Sequence, residues 1–291
     1  MLKIVYTICC GIDIHKKFIV ACIASTDIKN VTTYKSKRFS TFTNGLRELS
    51  QWLDSNSCVE VCMESTGKYW IPVFNILEVT CKITLAHPKY VKAIRGKKTD
   101  KKDAKWIANL FKYDLVASSF MLPLVIRQLR DLMSYRFKLT NSKSSEKNRA
   151  QNCLTVSNIQ LANVVSDTFG KSSMDIIELL LENPSDKDFD FVPLIYSSML
   201  SKVDDIHLAI DGLITEEQVS KLKIILKHFN ALENCKENLE SLILLLVKPF
   251  TRELNLVSTV PAFKNPFSDI AIISEISADM SVFPTAKHLC S

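Results

Sequence analysis

No two cysteines form a CxxC pair, which excludes a zinc ribbon; Cys58 and Cys62 lack a second ligand pair. No apolar run is long enough to cross a membrane. The N-terminal stretch "MLKIVYTICCGID" ends in Asp13, and His15 and two lysines follow at once, so a signal peptide is excluded as well. The turn "STGK" at Ser65 to Lys68 lacks the first glycine of the GxxxxGK(S/T) loop, which argues against a nucleotide P-loop. Glycine runs out early. None of the six follows Gly212, so the last 79 residues lack the residue that most readily takes positive φ or lets backbone approach a phosphate closely.

What remains is a chain of 291 residues, 47% hydrophobic and 23% charged, with material for two modest domains that each bury a core. The nine cysteines are Cys9, Cys10, Cys22, Cys58, Cys62, Cys81, Cys153, Cys235 and Cys290. Most lie in strand-like apolar runs, where free cysteine behaves as a small hydrophobe. A reduced, cytoplasmic protein is the expectation. The net charge of +6 is unevenly placed: cations concentrate between about 89 and 150, and the stretch 175–217 is acidic. That asymmetry hints at nucleic acid, although many soluble proteins share it.

Read along the chain, residues 3–24 predict two β-branched, cysteine-rich strands joined at "DIHKK", and "VTTYKSKRFS" predicts a third, more polar strand. "TNGLRELSQWLDS" predicts a helix capped by Thr43, with Leu46, Leu49, Trp52 and Leu53 on one face. "CVEVCMES" reads as a buried strand, "YWIPVFNILEV" as a short helix with Pro72 in its first turn, and "CKITLAHP" as a strand stopped by Pro88. A basic helix follows from about Asp100 to Tyr113. These elements describe an α/β domain with a mixed sheet over 1–122. Pro123 marks a boundary. Beyond it "VIRQLRDLMSYRFKLTNSKSSEKNRAQNCL" predicts one long helix, and a second runs from about Glu216 to Val247. In the second, Leu222, Ile225, Phe229, Leu232, Leu239, Ile243 and Leu246 follow a heptad that Lys236 interrupts. Two such helices around a loop-rich insertion, in a region spanning 123–250, fit a coiled coil, either an antiparallel pair or a dimerisation arm. An ordinary helical core fits equally well. The last piece, 251–291, reads as a helix–turn–helix-like fragment.

Four acids stand out. Asp13 sits in an apolar strand, where an unpaired buried carboxylate is costly, and shares a face with Gly11 and Cys9. It fits a metal ligand at a spot kept open by Gly11, and it also fits the end of a hairpin strand. Glu64 stands at a strand's C-terminal end, where α/β folds place their sites, or caps the next helix. Asp100 and Asp103 are the acids among Arg95, Lys97, Lys98, Lys101, Lys102 and Lys105. Three residues apart on a helix they share one face and can point at one ion; aspartate is also favoured at any solvated helix N-terminus. Taken together, a strand acid, a strand-end acid and a helical acid pair assemble ligands for two divalent ions, with lysines to neutralise phosphates.

"GIDIHKKFIVACI", "ESTGKYWIPVFNIL" and "HPKYVKAIRGKKTDKKDAKWIANLF" closely resemble the DEDD transposases of the IS one-ten insertion-sequence family. The resemblance covers most of 7–152 and resumes from about 254. It implies a RuvC-like domain of the RNase H fold in which Asp13, Glu64, Asp100 and Asp103 bind two Mg²⁺ ions. Lys97, Lys98, Lys101, Lys102 and Lys105 are the expected phosphate contacts. It further implies a DNA recombinase guided by a structured bridge RNA and working as a higher oligomer, whose strand-cleaving serine lies in a second, C-terminal domain, of which 251–291 would be a partial α-helical piece. Two departures bear on activity. Ala262, Phe263 and Lys264 stand where the family has a glycine-rich hairpin, and Ser291 lies upstream of where that serine belongs. A truncated copy unable to exchange strands is therefore the expectation. Rival readings are a stand-alone RNase H-fold nuclease or junction resolvase, and a non-catalytic remnant that binds nucleic acid. A sugar-kinase-like ATPase is weakest, since its phosphate loops want glycine where His15 and Lys16 stand. His15, His87 and Cys62 are read as structural.

Overall fold

The computed structural model describes residues 2–65, 67–87, 100–184, 189–261 and 265–289, with residues 100 and 101 described by backbone alone. Pro88, Arg95, Lys97, Lys98, Ala262, Phe263, Lys264, Cys290 and Ser291, all singled out above, lie outside the described residues. The chain forms two compact units, 1–121 and 122–291.

The first unit runs β1 (Ile8–Ile14), β2 (Phe18–Thr26), β3 (Thr32–Ser40), α1 (Thr43–Asp54), β4 (Glu60–Glu64), α2 (Trp70–Leu77), β5 (Lys82–Ala86) and α3 (Asp100–Lys112). The sheet order is β3-β2-β1-β4-β5. The first three strands form an antiparallel meander, and β4 and β5 extend it in parallel from β1. The mixed sheet expected from the sequence is what forms. β1 and β2 read as unbroken apolar runs because helices cover both of their faces. The two faces differ in size. On one, Ile12, Ile19, Val61 and Met63 pack with Leu49, Leu53, Val73 and Leu77 of α1 and α2. On the other, Cys9, Ala24, Cys62 and Ala86 meet Ile107, Ala108 and Phe111 of α3, and Val20 and Cys22 meet Ala104.

This small-residue seam brings α3 down onto the sheet. A Cβ at Gly11 would lie 2.2 Å from the Ala108 backbone N and 2.4 Å from the Ala104 carbonyl O. Gly11 therefore does not hold space open for an ion, as its sequence context suggested; helix backbone occupies that space. The cysteines belong to the same design. Cys9 and Cys62 lie in the seam, and burial pushes each thiol up to about 12. They act as small hydrophobes and are chemically quiet. Thr43 is likewise not a cap. It is the first residue of α1, behind Phe42, and the Ser40 hydroxyl accepts from the Phe42 N–H at 3.1 Å to shape the turn.

The second unit contains α4 (Leu124–Val156), α5 (Lys171–Glu182), α6 (Val203–Ile210), α7 (Glu216–Leu246), α8 (Thr251–Val257), α9 (Pro266–Ile276) and α10 (Ala286–Leu289). The two long helices pack antiparallel: Arg136 pairs with Glu240 at 2.7 Å, Lys143 with Glu233, and buried Glu146 with His228 at 2.9 Å. Lys236, which breaks the heptad, stands between Glu240 at 3.4 Å and Glu233 at 3.6 Å. Leu129, Leu139, Leu239 and Ile243 fill the seam beneath, and Ile270 of α9 joins them. The segment expected to be loop-rich is instead helical in part. Ile176, Ile177, Leu180 and Leu181 recur at helical spacing along α5 and close a core with Ile159, Leu161, Phe191 and Ile206. α9 starts at Pro266, behind an Asn265 side chain that accepts from the Phe267 N–H at 3.0 Å. Among the described residues no helix is long and apolar enough to cross a membrane.

Candidate active site

Strand register decides which side chains share the α3 face. Gly11 pairs with Cys62 on β4, and Asp13 and Glu64 each lie two residues further on. Side chains alternate along strands, so both acids emerge on the α3 face at the same end of two neighbouring parallel strands. Asp103 joins them from above. It precedes Ala104, whose buried methyl rests on Val20 and Cys22, so the first turns of α3 lie over the β1–β2 end of the sheet.

The approach of these three acids registers electrostatically. Burial pushes the Asp13 carboxyl above its ordinary value, and the charges of Asp103 and Glu64 push it further; the hydrogen bond and charge of His15 pull the other way. The Asp13 side chain is only 14% exposed, and its Oδ2 lies 3.0 Å from His15 Nε2. The His15 ring, itself 38% exposed, tilts against Phe18 at a centroid distance of 4.5 Å. The histidine read from sequence as structural thus touches the central acid directly. Asp100 opens the same helix as Asp103, and its side chain lies outside the described residues.

Among the described residues no three His, Cys, Asp or Glu side chains come together tightly enough to hold a metal ion. The donor chemistry nonetheless suits one. Asp13, Glu64 and Asp103 are hard oxygen donors, and a divalent cation would offset both the burial and the neighbouring charges that raise Asp13.

Of the five lysines proposed from sequence, Lys102 and Lys105 are exposed on α3, and Lys101 is described by backbone alone. Lys105 lays its ammonium over the Tyr34 ring at 4.0 Å, while the Tyr34 hydroxyl donates to Asn109 Oδ1 at 2.6 Å. The buried Lys112 donates to Thr32 Oγ1 at 3.0 Å. The helix is therefore tied to β3 along its length. Arg38 on β3 carries a signal that linear reading missed: its guanidinium stacks on Phe18 at 3.6 Å. Only the register, in which Asp13 pairs with Val20 and Val20 with Arg38, puts this arginine in the row of the central acid.

The transposase family of DEDD, IS110 type matches residues 10–159, from β1 through α4. No curated protein matches the chain. Among solved structures, a Fowlpox virus resolvase crystallised with substrate Holliday junction DNA is similar over 36% of this chain and 72% of its own, at 18% identity and a TM-score of 0.25. The family match takes in more than half of the chain and spans all four of the acids singled out above, so the protein belongs to the DEDD transposase family of the IS110 type.

Proposed function

We propose that the first unit is an RNase H-like, RuvC-like domain in which Asp13, Glu64, Asp100 and Asp103 hold two Mg²⁺ ions for DNA strand cleavage and transfer in transposition. The carrying observation is that Asp13 and Glu64 leave adjacent parallel strands at the same end, beneath the helix that bears Asp103, closely enough that both charges raise the Asp13 carboxyl. The strand order β3-β2-β1-β4-β5, an antiparallel meander extended by two parallel strands, supports the RNase H-like reading.

When bound, the divalent ions supply electrostatic stabilisation of the charge that builds on a reacting phosphoryl group. The chain's own residues do the rest. His15 holds the Asp13 carboxylate in one orientation through the 3.0 Å contact. The small-residue seam fixes the height of α3, and with it Asp103, above the strand ends. Lys102 and Lys105 offer positive charge beside the acids for backbone phosphates, and Lys97, Lys98 and Lys101 continue that run in the sequence. The partners in this reading are DNA and, by the family resemblance, a structured guide RNA, within a higher oligomer.

Calorimetric titration with Mg²⁺ tests the assignment. Wild-type protein should take up the ion, and Asp13→Ala should lose that uptake while keeping its circular dichroism spectrum. Unchanged uptake in Asp13→Ala would sink the site. Cutting of branched DNA by the chain alone would favour a stand-alone junction nuclease over a transposase that needs further partners.

A further inference from the structure

We infer that the α3-side face of β3, with Arg38 at its head, binds backbone phosphates of the nucleic-acid strand that enters the carboxylate site; this rests on the function proposed above. Three cross-strand rows run over this face of the sheet: Asp13–Val20–Arg38, Gly11–Cys22–Ser36 and Cys9–Ala24–Tyr34. Arg38 thus stands two strands from Asp13 on the same face, roughly 10 Å away at the usual strand spacing. Successive phosphates of a strand lie farther apart than the ~3.4 Å rise along the helix axis, so Arg38 meets a phosphate about one or two nucleotides from the one at the acids.

Chemistry along the track agrees with that partner. β3 carries three cations and no acid. Lys37 and Lys35 point to the opposite face, where they engage Glu48 at 2.8 Å and Asn56 at 2.9 Å. Arg38 is exposed and seated on Phe18 at 3.6 Å. Stacking uses the face of the guanidinium and leaves its N–H edge, the part that meets a phosphate with two parallel hydrogen bonds. Ser36 is exposed in the next row, and Lys105 covers Tyr34 in the third. β3 is an edge strand of the sheet. The result is a line of a stacked arginine, a hydroxyl and an aromatic-held lysine leading away from Asp13.

The test measures binding of a labelled branched DNA by anisotropy without Mg²⁺, from about 50 to 200 mM salt. Arg38→Gln should bind several-fold more weakly, and the slope of log K against log salt should fall by about 0.9, the signature of one lost phosphate contact. Arg38→Lys keeps the charge and should recover most of the slope. A single neutral methylphosphonate moved along the strand supplies the second readout. At one position it should weaken the wild type and leave Arg38→Gln unaffected. Equal thermal melting of the three proteins shows that the fold is kept. A wild-type salt slope in Arg38→Gln, with no silent position in the scan, overturns the inference while leaving the carboxylate site standing. If the wild type binds no nucleic acid, the proposed function falls first and this inference with it. Repeating the titration with an RNA strand of equal length tells whether guide or DNA supplies the phosphates; a slope change in either supports the contact.

Discussion

Adding one methyl group at Gly11 should be among the most damaging changes this chain can suffer. Taken alone, glycine to alanine within a strand stabilises a protein by roughly 0.5–1 kcal/mol, because the unfolded chain loses freedom. Here the new Cβ would sit 2.2 Å from the Ala108 N and 2.4 Å from the Ala104 O, whereas real contacts begin near 3.4 Å. α3 must retreat by about 1 Å, opening the packing around Ala104, Ile107 and Ala108. Overpacking of this kind costs about 3 kcal/mol, or roughly 10 °C in melting temperature. The sign alone separates the two expectations. Thermal melting of Gly11→Ala by circular dichroism gives the first readout, and Mg²⁺ uptake the second, since a displaced α3 carries Asp103 with it. Both colliding atoms are backbone, so trimming the neighbour with Ala108→Gly should not rescue the variant. A melting temperature equal to or above that of the wild type would refute the seating of α3 on β1.

Two further outcomes follow from the same physics. Because the folded state holds the Asp13 carboxyl above its ordinary value, its charge opposes folding once the pH rises past the usual carboxylate range. Asp13→Asn should therefore melt higher than wild type at pH 7 in EDTA, and the difference should vanish in acid, where both are neutral; a lower melting point at pH 7 would show that the net interactions of the charge are favourable. In the second unit, Glu240→Ala would leave Arg136 and Lys236 without a carboxylate they share at 2.7 and 3.4 Å. All three side chains are 20% exposed or less, so urea denaturation should record a loss of about 3 kcal/mol, and a change under 0.5 would mark the network as energetically idle.

Local chemistry made most of the first unit legible in the sequence. The β-branched runs gave the strands, and the spacing of Leu46, Leu49 and Leu53 gave α1. Cross-chain geometry was harder to read. Gly11 looked like room for a ligand, because nothing near it in the sequence announces that Ala104 and Ala108 lie on top of it. Thr43 had the chemistry of a cap, yet the cap position falls one residue earlier, at Phe42, whose N–H donates to the Ser40 hydroxyl. Arg38 was one cation among several in a polar strand until register aligned it with Asp13. Of the candidate site, acid identity could be read from sequence because carboxylates in apolar or basic surroundings are conspicuous. The contacts of His15 depend on how a hairpin bends, which no residue type specifies.

The antiparallel packing of α4 and α7 has a consequence for modularity. A helix of 33 residues is about 50 Å long, and its partner returns along nearly its whole length. Val156 and Glu216 are therefore neighbours at the far end of this pair, and everything between them hangs from two adjacent stems. That appendage shares its core with the ends of its stems: Ile159, Phe191 and Ile206 pack with Cys153 and Leu154 of α4 and with Leu222 and Ile225 of α7. Exchanging it for a tight hairpin would bare those stem residues to water. Shaft and cargo meet through one hydrophobic joint, so a change in either must suit the other.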